Sequence, residues 1–573
     1  MNIKILATAL LSVSACSWAT AQDLNSEITV THDVVPEERA ATRLQLLPSV
    51  SLPQTVPGRL SPASLVGVSP LTPSLLTLEP APYLTSRLKS PWRGYASLGY
   101  GPMYNLGASA GYRFVERDNL QADAFLQFDG FKYKSKHPDA SYRAYGPVNM
   151  HRNSLDLGTR ATWSPLKGTT LSATATYAFS GYNFPLPVLK PGGIPYQDPA
   201  ECYVNNNRIN ANMLNISADW RHSVSEKWSY TLSTSYGLHA NSGIAGALTE
   251  NRGSFGGSVV YDHGDVSHWS MDASLSMAGA TARHTSGTFH KGIVTLRPAY
   301  RLTIDHFSAL AGVRLDMRAG GYNPTQDALG YIYPELQLMW RPSSVFCMYG
   351  KMDGHTDANY ISSLYESQPY IFPIMANLKG YSHVHNYEIG ATAGPWRGAA
   401  VTVFAGFATA SDWLMSNYRA GYWMARNVAG MHFGLKADYS YRSYLDFSAK
   451  LEMATSPDDD FDHGYYPWRD HARLDLDIKA TIHPIEPLDI QIGYHLRTHR
   501  AKPLPGPLSY IGLGDYSQAL GNISDLNIGA HYRINDMWGV FLRGENILNH
   551  SYYIGPAVPS QGIRCLAGAT VRF

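Results

Sequence analysis

An acidic run, Asp458, Asp459, Asp460 and Asp462 followed by His463, is one place where this chain could hold a metal. Clustered carboxylate oxygens suit a hard divalent cation, but a charge run in a connection fits a solvated face better. His383 and His385 stand two apart, so on an extended strand both imidazoles share a face. A transition metal needs a third ligand, and none stands at a recognisable spacing; polar residues at a strand mouth fit the pair better. Of the four cysteines, Cys16 lies in the N-terminal stretch expected to be removed; the remaining Cys202, Cys347 and Cys565 are scattered and odd in number, which points away from a disulfide framework or a zinc site. Gly107-Ala108-Ser109-Ala110-Gly111 has the Gly-x-Ser-x-Gly spelling but lies inside the strand-like run Tyr104–Phe114 rather than at a strand-to-helix elbow, and there is no Walker-type loop. These residues point to a protein that is not an enzyme and that needs no cofactor. A net charge of +1 offers no electrostatic case for a nucleic-acid partner.

The elements that must position such residues are strands. From Ile563 to Phe573 the chain alternates, with Ile563, Cys565, Ala567, Ala569 and Val571 on one face and Arg564, Gly568, Thr570 and Arg572 on the other. One face suits hydrocarbon and the other water. An aromatic terminal residue, here Phe573 with Val571 before it, marks the closing strand of an outer-membrane barrel, which the barrel-assembly machinery engages. Two further strands show the same facing. Leu474, Leu476, Ile478, Ala480 and Ile482 alternate with Arg473, Asp475, Asp477 and Lys479; Leu526, Ile528, Ala530, Tyr532 and Ile534 alternate with Asp525, Asn527, His531 and Arg533. Charged residues are only 16% and aromatics 12%, yet the mean hydropathy is slightly negative. No apolar stretch after the N-terminal one approaches the ~18 residues of a spanning helix. A membrane β-barrel reconciles these facts, because alternating faces average to middling hydropathy while Tyr and Trp collect at the interfaces.

Residues 1–21 have the form of a secretory signal, with Lys4, the apolar run Ile5 to Ala15, and Ala19-Thr20-Ala21 as the cleavage pattern. Val13-Ser14-Ala15-Cys16 offers a competing lipoprotein site at Cys16. Residues 22–90 are dense in proline, which removes ladder donors and favours extended, polyproline-like chain that lies in the periplasm or the lumen. Over residues 91–573, tight turns such as Ser223-Val224-Ser225, Gly264-Asp265, Gly394-Pro395 and Asn535-Asp536 alternate with long connections such as Ala240–Arg252, Asp353–Ser382 and Ala501–Asn522. This rhythm predicts an all-β fold, a transmembrane antiparallel β-barrel of about 22 strands, with both chain ends on the side of the short turns.

The closing residues resemble a family. Tyr532-Arg533-Ile534, Glu545-Asn546-Ile547-Leu548-Asn549, Tyr552-Tyr553, Gly555-Pro556, Pro559, Gly562, Arg564 and Phe573 are similar to the last strands of TonB-dependent outer-membrane receptors, of a Bacteroidetes type. Asn386-Tyr387-Glu388-Ile389-Gly390 resembles a mid-barrel strand entry of the same family, without its usual prolines. Family members carry a globular plug ahead of the barrel, whereas residues 22–90 lack the mixed helix and strand pattern of one, so the resemblance implies a plugless relative. Glu27-Ile28-Thr29-Val30-Thr31 resembles the TonB box, a strand that adds to a TonB-type energy transducer by β-augmentation.

The resemblance implies a bacterial outer-membrane location and transport of a bulky solute, with outer-membrane lipid as surroundings. The alternative is a plugless scaffold or accessory subunit that docks an envelope lipoprotein. A lumen of this width must be obstructed, and the candidates are inward-folded loops, residues 22–90 or a partner.

Overall fold

The computed structural model describes residues 92–136, 148–183, 208–243, 246–264, 266–282, 288–320, 330–367, 379–417, 422–455, 474–498, 521–555 and 558–573. The expected signal, the proline-rich segment with Glu27–Thr31, the acidic run at 458–463 and Cys202 lie outside these residues.

The sheet has 22 strands. They follow one another in chain order from Gly94 to Glu545, and a last strand, Arg564–Arg572, joins the final one to the first. β1 (Gly94–Gly101) therefore pairs on one side with β2 (Asn105–Glu116) and on the other with β24 (Arg564–Arg572), both antiparallel. Closure leaves the wall without an outermost strand, the condition for a sheet in lipid. Phe573 seals the joint. Its carbonyl accepts the N–H groups of Arg93 at 2.9 Å and Gly94 at 2.7 Å, and its ring stacks on Tyr112 at 6.2 Å between centroids. Gly94 leaves room for that ring, since a Cβ there would lie 2.5 Å from it.

The facing follows the period-2 pattern. In β12 (Gly330–Ser343), Ile332, Leu336, Leu338 and Trp340 are exposed on the outside while Tyr333 and Glu335 are buried inside. Trp163, Trp228, Trp269, Phe307, Trp340 and Trp538 are exposed near the short-turn ends of their strands, and the rings of Trp228 and Tyr261 pack at 4.6 Å. Such a belt suits a membrane interface. Ion pairs line the interior: Arg297 with Glu335 at 2.7 Å, Lys450 with Glu452 at 2.9 Å and Arg497 with Asp475 at 2.9 Å.

Two details differ from the sequence reading. β7 (Trp228–Gly243) and β8 (Gly246–His263) extend into the segment 240–252, expected as a long connection, and stay paired up to Gly243 opposite Gly246. In β24 the inward set includes Leu566, only 5% exposed, which fills the space left by Gly99 and Gly107.

Candidate functional site: an inward-folded hairpin and a lid

The wall departs from regularity beside β12. β13 (Phe346–Ala358) pairs with β12 from Trp340 opposite Met348 to Leu336 opposite Met352, and the pairing stops there. Its pairing with β14 (Tyr381–Trp396) runs on to Ala358 opposite Tyr381. Extended, the register would set Pro334 against Gly354 and Ile332 against Thr356. The Arg341 N–H donates to His306 O at 2.7 Å, so odd-numbered residues of β12 face β11 (Phe307–Gly320) and even-numbered ones face β13. Pro334 thus stands where a donor toward β13 is required and has none. The Thr356 N–H, which would have bonded Ile332, donates instead to Asp316 Oδ2 at 2.8 Å. The tip of the β13–β14 hairpin therefore leaves the wall and lies over the inner faces of β11 and β12.

A buried polar network latches it. The Asp316 carboxylate, fully buried, accepts from Thr295 Oγ1 at 2.7 Å, from Arg314 Nε at 2.9 Å and from Thr356. Arg318 Nη1 lies 2.8 Å from His383 Nε2, and because arginine only donates, that nitrogen accepts. His383 then carries its proton on Nδ1 and donates to the Tyr333 oxygen at 2.9 Å, leaving the Tyr333 hydroxyl to donate to Thr356 Oγ1 at 2.7 Å. The Tyr331 ring covers His383 at 3.7 Å. Gly354 is required here: a Cβ would stand 2.5 Å from the Tyr333 ring.

Beyond the latch, the hairpin carries α1 (Ile361–Ser367) across the mouth. Lys291 Nζ donates to Asn359 O at 2.5 Å, and Arg252 lies over the Tyr360 ring at 4.3 Å. Burial pushes the Tyr360 phenol above its ordinary pKa, with Arg252 opposing, so the ring faces the guanidinium as a neutral group. Glu250 on β8 accepts the N–H groups of Ile361 at 3.0 Å and Ser362 at 2.8 Å. These are amides the helix itself leaves unpaired, at the end where a carboxylate is favoured.

The connection before β24 folds inward to meet α1. Asn546 and Asn549 adopt left-handed φ values of 46° and 52°, and the Asn546 amide donates to His550 O at 3.0 Å and Gln561 O at 2.9 Å. Inside it, β22 (Tyr553–Gly555) and β23 (Val558–Pro559) make a small hairpin, and Tyr133 of β3 (Leu120–Ser135) donates to Pro559 O at 2.7 Å. Two apolar clusters result. One joins Phe131, Met150, Ile209 and Ile523 of the wall to Tyr365, Tyr552 and Val558. The other joins Leu248, Ala280 and Leu414 to Ile361, Leu364 and Tyr553. Phe131 lies on β3 and Leu414 on β15 (Ala399–Asn417), nearly opposite each other in a ring of 22. The two loops thus form a lid that bridges the barrel from side to side at the long-connection end.

Against this frame, Val571 and Phe573 sit in the closing strand pair, and His383 lies in the latch with His385 5.1 Å from the Tyr333 ring. The acidic run and Glu27–Thr31 lie outside the described residues. Sequence reasoning passed over Asp316, Pro334, Gly354 and Glu250. Of these only Pro334, a proline inside a strand of a closed wall, carried a signal.

No family model and no curated protein matches the chain. Solved structures do. The FrpB iron transporter from Neisseria meningitidis (F3-3 variant) superposes with a TM-score of 0.62 at 10% identity, over 85% of this chain and 82% of that one. The siderophore receptor PirA from Acinetobacter baumannii gives 0.63 at 11%, over 84% and 80%. The ferripyoverdine receptor of the outer membrane of Pseudomonas aeruginosa gives 0.59 at 11%, over 84% and 72%. This chain has the fold of these receptor barrels. The closed wall, its apolar outer band and its aromatic belt make it an outer-membrane barrel.

Proposed function

We propose that the protein moves a bulky solute across the bacterial outer membrane, through a barrel whose outer mouth is closed by its own loops. The observation that carries this reading is the lid, which spans from β3 to β15 and is made of α1 and the connection before β24. A scaffold has no need to build an apolar septum across a wide, ion-lined lumen; a transporter does, because an open lumen of this size would leak. The likeness in fold to an iron transporter and to siderophore receptors supports the same reading and is consistent with a metal complex as cargo. The lid takes the place of a globular plug, and Glu27–Thr31 is the strand that couples to an inner-membrane energy transducer.

Co-purification from membranes tests it. The full chain is expected to retain an energy-transducing partner, and a chain lacking residues 22–34 to lose it. A stable outer-membrane or lipoprotein complex that is indifferent to the deletion would replace transport with the scaffold role.

A further inference from the structure

Departure of β13 leaves a lane in the wall that no described strand fills. Ile332 and Pro334 direct their backbone carbonyls toward it; the ladder with β13 stops at Leu336, and the Thr356 N–H that would have met the Ile332 carbonyl goes to Asp316 instead. On the outer face of the lane Ile332 is 70% exposed. Its outer rim continues the lipid-facing band through Ile332, Leu336 and Leu338 of β12 and Tyr387 and Ile389 of β14. Eight residues of tilted strand separate Ile332 from Trp340 in the short-turn belt, about 20 Å along the barrel axis, so the lane lies near the far boundary of an apolar band about 25 Å tall.

The geometry points to this lane as a binding site for one membrane amphiphile whose headgroup carries hydrogen-bond donors. Unpaired carbonyls are costly in hydrocarbon, and the Ile332 and Pro334 carbonyls are acceptors placed where a headgroup meets its chains. The occupant lays its chains along Ile332, Leu336 and Ile389 and turns its N–H or O–H groups to those carbonyls. A strand from a partner protein fits less well. Strand addition needs donors and acceptors in alternation along the edge, and Pro334 removes a donor from the middle of this one. The latch of Asp316, Tyr333 and His383 keeps β13 out of the lane by holding the hairpin inside.

Native mass spectrometry of the full chain, delipidated in detergent and titrated with phosphatidylethanolamine or with phosphatidylcholine of the same chains, tests the site. One phosphatidylethanolamine should be retained at least about 5-fold more tightly than phosphatidylcholine, whose choline has no N–H donor. Ile332→Trp, which fills the lane, should abolish that preference, whereas Leu338→Trp, on the same face where β13 is in place, should keep it. Heat-modifiable gel mobility shows that each variant is folded, and Ile332→Phe gives the same reading should the tryptophan prevent folding. Equal binding of the two lipids, or binding unchanged by filling the lane, would overturn the proposal. So would a polypeptide that co-purifies with the native chain and is lost from Ile332→Trp, which would assign the lane to a partner strand.

Discussion

The Asp316 carboxylate decides where the hairpin goes. It lies inside the wall, fully buried, and it gathers a backbone N–H from β13 together with donors from Thr295 and Arg314. Asp316→Ala strips the partner from both Arg314 and the Thr356 amide, and removing one member of a buried charged set costs about 3 kcal/mol. The expected readout is faster hydrogen exchange at Thr356 and neighbouring amides of the hairpin tip, with β2 and β3 unchanged. Gly354 supplies a second test. A methyl group there meets the Tyr333 ring, so Gly354→Ala should destabilise the tip by about 1–3 kcal/mol, the usual cost of overpacking. Denaturant titration followed by the same exchange would show it, and an unaffected tip would mean that the hairpin does not rest on β12.

Among the elements, the closing pair β24–β1 and the β13–β14 hairpin obey opposite rules. β24 pairs on one side from Arg564 to Val571 and with β1 from Ala567 to Arg572, and the Phe573 ring covers the joint over Gly94. Deleting Phe573 removes the carbonyl that accepts from Arg93 and Gly94 as well as the ring on Tyr112. A reduced share of folded, heat-modifiable barrel in the outer membrane is the expected outcome, read on an unboiled gel. The hairpin, by contrast, gives up one partner strand and replaces the ladder with side chains. Proline explains the release and aspartate the capture.

The whole molecule was partly legible in its sequence, and the division has a physical basis. Period-2 alternation is local, so the strand count, the short turns at Ser223–Ser225 and Asn535–Asp536, and the outward set Ile528, Tyr532 and Ile534 could be read directly. The lid could not. Its decisive contacts join residues far apart in the chain: Ile361 is 111 positions from Glu250, and Tyr133 is 426 from Pro559. The residues Glu545 to Asn549 and Tyr552-Tyr553 stood out only as a resemblance. Their structural work, Asn546 knitting the connection together and Tyr552 and Tyr553 entering the two apolar clusters, depends on strands that no local pattern names. Likewise Leu566, on the same face as Arg564, Gly568, Thr570 and Arg572, points inward because Gly99 and Gly107 of the neighbouring strands leave space that an apolar side chain fills.

Planar-bilayer conductance of the purified full chain tests the closed mouth most directly. Ile361 and Val558, one from each apolar cluster, are both fully buried in the lid. The native chain should insert without large conductance steps, while Ile361→Asp combined with Val558→Asp, folded by gel mobility, should show discrete openings of wide-pore size. Large steps from the native chain, or a double variant that stays shut, would contradict a lumen sealed by these two loops.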